Sequence, residues 1–294
     1  MCCFSANTSV FETSIFARLT RPGAQVLVYQ MRYASAEPTA MILPLPVALP
    51  TREGAVRWTS LKEQQSFFDK LESGFPSKRP APAAALPVHE VGDYIASFVP
   101  SVAAFDRIDP RFAIKKDVWS RIPTYHDYGF AVFQLKLLSG TPHPIAFEFE
   151  TRLRDTVFFP TVHIHDGTVH DKDRFHHALY LQDARFDARV SAYVDSDHAD
   201  PRTGFVRSHA KAASFADVAG SLGVLDGGLL VHRMNIWGLQ RNTDRLIDIL
   251  TSRAGACARC DAGAGQGGRV GVAPAVLAGG LAWLIRRRDQ LRRS

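Results

Sequence analysis

The sequence predicts an α+β protein built largely from antiparallel β-sheets, with a few packed helices and a C-terminal helix. Its 294 residues, of which 46% are hydrophobic and 22% are charged, are enough to bury the core of one large domain or two small ones. Runs of β-branched and aromatic residues recur between prolines and glycines, which is the pattern of short strands joined by turns. Helical spacing of apolar residues is confined to a few short segments.

Strand patterns dominate the beginning of the chain. Strands at 9–20, 25–33, 39–46 and 55–61 are expected to form an opening antiparallel meander. Ala40–Leu45 is a continuous apolar run, which is typical of a strand buried on both faces. A helix is predicted over 62–74, because Phe67, Phe68 and Leu71 fall on one helical face and Gly74 follows as a stop.

Strands and short helices alternate in the rest of the globular part. Residues 77–87 are rich in Pro and Ala and are expected to form a surface connection or a subdomain boundary. Further strands are predicted at 88–99, 129–138, 146–153, 190–194, 205–208 and 229–237, and helices at 174–181, 214–222 and 241–252.

The composition changes after residue 252, which predicts four successive regions. They are a globular α+β domain over 1–252, a Gly/Ala/Cys linker over 253–269, a short apolar helix over 270–285 and an Arg-rich tail over 286–294. The apolar helix would be about 24 Å long, against a hydrocarbon core of about 30 Å. The sequence therefore predicts a membrane-associated protein that reaches the bilayer through this helix as a short transmembrane span. The alternative is a terminal helix packed on the globular body.

Charge and cysteine positions limit the partners and the compartment. The net charge is +6, but residues 286–294 hold five Arg and one Asp, which leaves the body near +2 and argues against nucleic acid as a partner. A small-molecule or protein ligand stays open. The four cysteines lie at positions 2, 3, 257 and 260, so no disulfide framework is expected in the long stretch of chain between positions 3 and 257. No signal peptide is predicted, and the side of the membrane stays open.

The N-terminal sequence offers a candidate nucleophile. Removal of Met1 would leave Cys2 with a free α-amine of pKa near 8, which can take the proton of a thiol of pKa near 8.5. The spacing from Cys2 to Arg18 resembles the cysteine N-terminal nucleophile hydrolases, especially the choloylglycine hydrolase group, although Leu19 follows where that group carries an acidic residue. The resemblance implies an amidohydrolase in which Cys2 attacks and Arg18 supports it. The alternative is that Cys2 is a small buried residue of an edge strand.

A second candidate site lies among the histidines, of which five of the eleven fall between residues 163 and 177. His163 and His165 would share one face of a strand, and His170 would follow a turn later. Three imidazoles with Asp166 as a ligand or supporting group would suit zinc and leave a position open for water or substrate. The alternative is a polar strand face that leads into a turn, with the pair His176-His177 capping a helix over 174–181.

Several segments resemble an uncharacterised bacterial membrane-associated family, a domain of unknown function. They are AMILPLP at 40–46, FFDKL at 67–71, VGDY at 91–94, GFAVFQL at 129–135 and HPI at 143–145. The resemblance implies a membrane-linked, β-rich domain and transfers no activity. The leading hypothesis is therefore a membrane-associated binding or surface module. The alternatives are an amidohydrolase that uses Cys2 and a zinc-dependent hydrolase that uses the histidine cluster.

Overall fold

A computed structural model describes residues 2–75, 95–189, 199 and 204–249. The chain divides into two units, Met1–Cys257 and Ala258–Ser294, and all described residues belong to the first. The strands are β1 Cys2–Phe4, β2 Thr8–Arg21, β3 Ala24–Ser35, β4 Ala40–Leu45, β5 Val56–Ser60, β6 Ile95–Val99, β7 Gly129–Gln134, β8 Ser139–Gly140, β9 Ile145–Glu150, β10 Thr156–Phe159, β11 His163–Ile164, β12 Lys172–Gln182, β13 Val206–Arg207, β14 His232–Arg241 and β15 Arg245–Asp248. The α-helices are α1 Phe67–Glu72, α2 Lys116–Ser120 and α3 Ala184–Arg189, and short 3-10 turns lie at Val102–Arg107, Pro110–Phe112, Pro123–Tyr125 and Ala212–Ser214.

The described strands form three sheets. One has the order β11-β1-β4-β7-β6, and a larger one has the order β13-β14-β12-β2-β3-β9-β5 with β8 paired to β3. The third is the pair β10-β15. Strand pairing among the described residues is antiparallel except for β1 with β11 and β2 with β12. The α+β prediction with largely antiparallel sheets is therefore confirmed for this part of the chain.

The two large sheets pack face to face through aromatic side chains. Phe147 of β9 is fully buried, and its ring lies 6.0 Å from that of Phe133 on β7 in the other sheet. The Trp58 ring of β5 packs against both of these rings, and its centroid lies 5.4 Å from that of Phe133 and 5.5 Å from that of Phe147. β4 is buried at all six positions, as its uninterrupted apolar sequence predicts.

A second apolar cluster covers the opposite face of the larger sheet. Phe67, Phe68 and Leu71 on one face of α1 pack against Phe16 of β2 and Tyr180 of β12. The helix is shorter than the predicted span of 62–74, but its buried face is the predicted one. The larger sheet is thus buried on both sides near its centre.

Several predicted elements differ from the structure. Residues 174–181 form part of the long strand β12 and not a helix, so the pair His176-His177 caps nothing. Residues 241–249 contain the end of β14 and the strand β15, where a helix was predicted, and residues 215–222 form turns. The opening is not a single meander, because β4 leaves the hairpin of β2 and β3 and joins the other sheet. The predicted strand at 190–194 lies outside the described residues.

The prediction of a transmembrane helix, and with it of the membrane as partner, is corrected. Among the described residues no helix has the length and apolar character needed to cross a bilayer. The α-helices described contain five or six residues each, far fewer than the roughly 20 that a span requires. The apolar segment 270–285, the linker 253–269 and the tail 286–294 lie outside the described residues.

Candidate metal centre

His163 on β11 and His165 just after it lie against one face of β12. His163 and His165 are two residues apart on an extended segment, so their side chains lie on the same side. Asp173 and His177 occupy alternate positions of β12, with Phe175 between them, and therefore also share a face. The two segments bring together three imidazoles and a carboxylate that are as many as 14 residues apart in the sequence.

The ring of His163 lies at the centre of this cluster. It is 2% exposed and stacks between His165, at 4.7 Å between centroids, and Phe175, at 4.3 Å. Its Nε2 lies 3.1 Å from Nε2 of His177, and its Nδ1 lies 3.4 Å from Oδ2 of Asp173. Both ring nitrogens of His163 therefore face polar groups while the ring faces are covered.

One ligand atom each from His163, His165 and Asp173 can be chosen so that all three lie within 4.8 Å of one another. This His/His/Asp group could hold a metal ion. Two ligands of one tetrahedral zinc ion lie roughly 3.3 Å apart, as follows from zinc–nitrogen distances of about 2.0–2.1 Å. The 3.4 Å between the His163 ring and the Asp173 carboxylate is close to that separation. The other separations, which are at most 4.8 Å, would have to shorten for all three residues to bind one ion.

Buried nitrogen atoms without hydrogen bonds support this assignment. Nδ1 of His163, Nε2 of His165 and Nδ1 of His177 are all inaccessible to solvent and have no hydrogen-bond partner. An unpaired buried polar atom typically costs about 1–3 kcal/mol, so such atoms are rare in folded proteins and call for an explanation. Coordination of an ion would satisfy the two nitrogens that belong to the His/His/Asp group.

The protonation states suit metal binding as well. Burial lowers the pKa of His163, lowers the pKa of His165 to about 4, and lowers the pKa of His177 well below its ordinary value. Burial raises the pKa of Asp173, but the nearby His163 ring and a hydrogen bond from the backbone N–H of Arg174 outweigh it, so this pKa lies below its ordinary value. Near neutral pH the imidazoles are therefore neutral and Asp173 is ionised, which are the forms that ligate metals.

The turn after β14 holds the histidine segment in place. The side chain of Asn242 accepts a hydrogen bond from the backbone N–H of His163 at 2.6 Å and donates to the carbonyls of His163 and His170 at 2.9 and 3.0 Å. Two residues later, the carboxylate of Asp244 accepts from the backbone N–H groups of Thr161 and Val162. Residues 161–163 are thus fixed by side chains from a distant part of the sequence.

The structure separates the residues of the predicted zinc site. His163 and His165 do lie together, but His170 and Asp166 form an exposed pair of their own, with His170 Nε2 3.0 Å from Asp166 Oδ2. That hydrogen bond raises the pKa of His170 and contributes to lowering that of Asp166. The carboxylate that joins the histidines is Asp173, which the sequence analysis missed. An alternation of Asp173, Phe175 and His177 was visible in the sequence and would have placed them on one strand face.

The candidate nucleophile stays a prediction. The backbone register pairs Cys2 with His163 and Cys3 with Ile164 in the parallel pair of β1 and β11. Arg18, on β2 in the other large sheet, donates hydrogen bonds to the carbonyls of Gly223 and Val224 at 2.7 and 3.0 Å. Burial is the main influence on Arg18 and lowers its pKa. Its described hydrogen bonds thus lead to the loop at 223–224.

Acidification is expected to destabilise the metal-free protein between about pH 6.5 and pH 4. An unfolded histidine has a pKa near 6.5, whereas burial lowers the pKa of His165 to about 4 in the folded protein. The unfolded state therefore binds more protons in this window, and the free energy of unfolding falls as the pH falls, by about 3 kcal/mol for His165 alone. Urea unfolding in the presence of a chelator at several pH values measures this slope.

His165→Gln is expected to flatten that slope, and His170→Gln, at an exposed position, is the matched control that keeps it. An unfolding free energy that stays constant from pH 7 to about pH 4.5 in the parent protein would contradict the buried, neutral state of these histidines.

Comparison with known proteins identifies no family for this chain. No family model matches the sequence, and no curated protein matches it either. Solved structures with a similar chain path are those of baculovirus P35. The crystal structure of baculovirus P35 is 12% identical with a TM-score of 0.47, and the match covers 84% of this chain and 99% of that chain. A mutated baculovirus P35 after caspase cleavage is 14% identical with a TM-score of 0.42 and coverages of 81% and 99%. P35 in a caspase-8/P35 complex is 12% identical with a TM-score of 0.40 and coverages of 81% and 95%. Similarity this low assigns no function to the chain.

Proposed function

We propose that this protein binds a divalent transition metal, zinc in the first place, through His163, His165 and Asp173. The observation that carries the proposal is the pair of buried, unpaired nitrogens on His163 and His165 beside an ionised carboxylate. Neutral imidazole and carboxylate are common zinc ligands in proteins. The chain would then be a metal-binding protein.

The donor set narrows the choice of metal. Two histidines and one carboxylate suit zinc in sites with an open fourth position, and the same combination also binds iron(II) in open-sided sites. Zinc has no geometric preference of its own, so it tolerates a group whose ligand atoms are spread over as much as 4.8 Å before closure. Zinc is therefore the first probe, and iron(II) is the competitor to compare with it.

His177 would act as a positioning residue for this site. If Nδ1 of His163 faces the ion, the proton of that ring sits on Nε2 and is donated to Nε2 of His177, 3.1 Å away. Such a hydrogen bond fixes the tautomer and the orientation of the ligating ring. The stacked ring of Phe175 prevents His163 from rotating away.

The carboxylate is the most accessible part of the site. The side chain of Asp173 is 29% exposed, while that of His163 is 3% exposed, so a substrate would approach from the carboxylate side. A bound zinc ion with three protein ligands polarises a substrate carbonyl or lowers the pKa of a water molecule. Hydrolysis is thus the activity class to screen once metal binding is measured.

The test compares two acidic residues of the same segment. The full chain carries Cys257→Ser and Cys260→Ser in every sample, because those cysteines have zinc-binding spacing of their own. The parent is expected to bind one zinc ion per chain and to melt about 5–10 °C higher when zinc is present at about 100 times its Kd. Asp173→Asn is expected to lose most of this shift, whereas Asp166→Asn is expected to retain it.

The measurements are zinc content after dialysis and thermal unfolding with and without zinc. A parent chain that binds no zinc and no iron(II) would overturn the proposal. So would an Asp166→Asn variant that loses the metal while Asp173→Asn keeps it, because that outcome would place the site at the exposed pair of His170 and Asp166.

A further inference from the structure

One exposed face of the strands β12 and β14 has an unusual composition. Its members alternate along the two strands and point away from the core, and we refer to them together as the cationic strand face. They are Lys172, Arg174 and His176 of β12 and Trp237, Leu239 and Arg241 of β14, and all six are exposed. The face is the reverse side of the strand segment that carries Asp173 and His177, so it is distinct from the candidate metal centre.

β14 is an open sheet edge over most of its length. It pairs with β12 through ten consecutive positions, but on its other side β13 covers only His232 and Arg233. In the described part of the chain no strand lies against residues 234–241 on that side. An exposed edge presents backbone N–H and C=O groups that can pair with another extended segment.

Large apolar side chains lie beside this open edge, where charged side chains that discourage pairing with another strand would be expected. Trp237 is 68% exposed and Leu239 is 61% exposed, and the Trp237 ring meets the His176 ring in a T-shaped arrangement, at 4.2 Å between centroids. Natural sheets usually guard an open edge with charges or short strands, and large exposed apolar groups mark binding surfaces. In the open part of β14, residues 234–241, the charged side chain is that of Arg241, which follows Leu239 and Gln240.

The charges at that end of the edge are three cations that lie close together. Lys172 lies directly opposite Arg241, and Arg174 lies opposite Leu239, which puts three cations side by side. Like charges directly opposite each other destabilise a strand pair. Within the described residues none of the three forms an ion pair. The arrangement is costly in the free chain and becomes favourable when a ligand supplies carboxylates.

We propose that the β14 edge accepts an extended acidic segment of a partner protein as an added strand. The segment would pair with residues 234–237, place an apolar side chain against Trp237 and Leu239, and place carboxylates near Arg174 and Arg241. Gly238, with φ of +80°, interrupts the regular edge, so backbone pairing ends before it. A second copy of this chain is a poorer occupant, because its own β14 edge, residues 234–241, contains no carboxylate to place near these cations.

The experiment uses the full chain and a fluorescent ten-residue peptide that has Phe and Val in one half and Glu at alternate positions in the other. Fluorescence anisotropy is expected to show saturable binding of this peptide. Trp237→Ala and Arg174→Glu are each expected to weaken it at least about tenfold. Leu222→Ala is the matched control, because Leu222 is also strongly exposed but lies in a turn outside β12 and β14, and it is expected to leave binding unchanged.

Three further probes separate strand addition from other modes. A peptide of the same sequence with alternate N-methylated backbone amides is expected not to bind, because it cannot complete the strand pairing. A peptide with Lys in place of Glu is also expected not to bind. Sedimentation of the free chain is expected to show no dimer that depends on Trp237. Equal binding of the N-methylated peptide or of a single-stranded oligothymidylate, a Trp237-dependent dimer, or no binding of the acidic peptide would each overturn the proposal.

Discussion

Replacing His165 with alanine is expected to lower zinc affinity at least about 100-fold, because even changes to residues that support a ligand typically cost 10–100-fold. The variant removes one of the buried nitrogens that have no hydrogen-bond partner. The side chain is only partly buried, so we expect the fold to survive the loss. Competition with a chromophoric chelator measures the change in affinity.

His170→Ala is the matched control for that experiment. His170 lies in the same histidine-rich segment, but its ring is exposed and hydrogen-bonded to Asp166. We expect zinc affinity to stay within about twofold of the parent value. If instead His170→Ala abolished binding and His165→Ala did not, the ligand set would be the one suggested by spacing along the sequence, and the assignment of Asp173 would be wrong.

Replacing Phe147 with alanine is expected to lower the free energy of unfolding by about 3–5 kcal/mol. This side chain is completely buried at the contact between the two large sheets, among Trp58, Phe133 and Phe149. The lost volume cannot be refilled easily, because neighbours on three different strands surround it. The melting temperature should fall by about 6–20 °C, which thermal unfolding followed by circular dichroism would measure.

Phe11→Ala provides the control, since it makes the same chemical change at a residue that is 44% exposed. The guanidinium of Arg32 lies over the Phe11 ring, 5.2 Å from its centroid. We expect a loss of less than about 1 kcal/mol there. Equal losses for the two variants would mean that the two sheets do not share a core at Phe147.

The local pattern predicted the strands that their own composition and flanking turns identify. The hairpin of β2 and β3 and the fully buried strand β4 follow from β-branched and aromatic runs bounded by turn residues. β12 was mistaken for a helix because its second half is buried on both faces. Leu179, Tyr180, Leu181 and Gln182 are consecutive buried residues there, so the alternation that identifies a strand is lost.

Two of the three residues of the candidate metal site were predicted from the sequence, and the third was missed. His163 and His165 share a strand face, and that relation depends only on the period of two along an extended chain. Asp173 joins them because one face of β12, in the larger sheet, packs against β11 of the other sheet, and Asn242 holds His163 from a turn 79 residues away. Such contacts depend on strand order, which a single sequence does not encode locally. The sequence neighbours Asp166 and His170 were therefore chosen in place of the spatial ones.

The most direct test of the central claim is to locate the metal in crystals of the full chain grown with zinc, by anomalous diffraction at the zinc edge. We predict one strong anomalous peak within bonding distance of the side chains of His163, His165 and Asp173. A peak at His170 and Asp166, or an empty cluster in zinc-replete crystals, would contradict the account of this site.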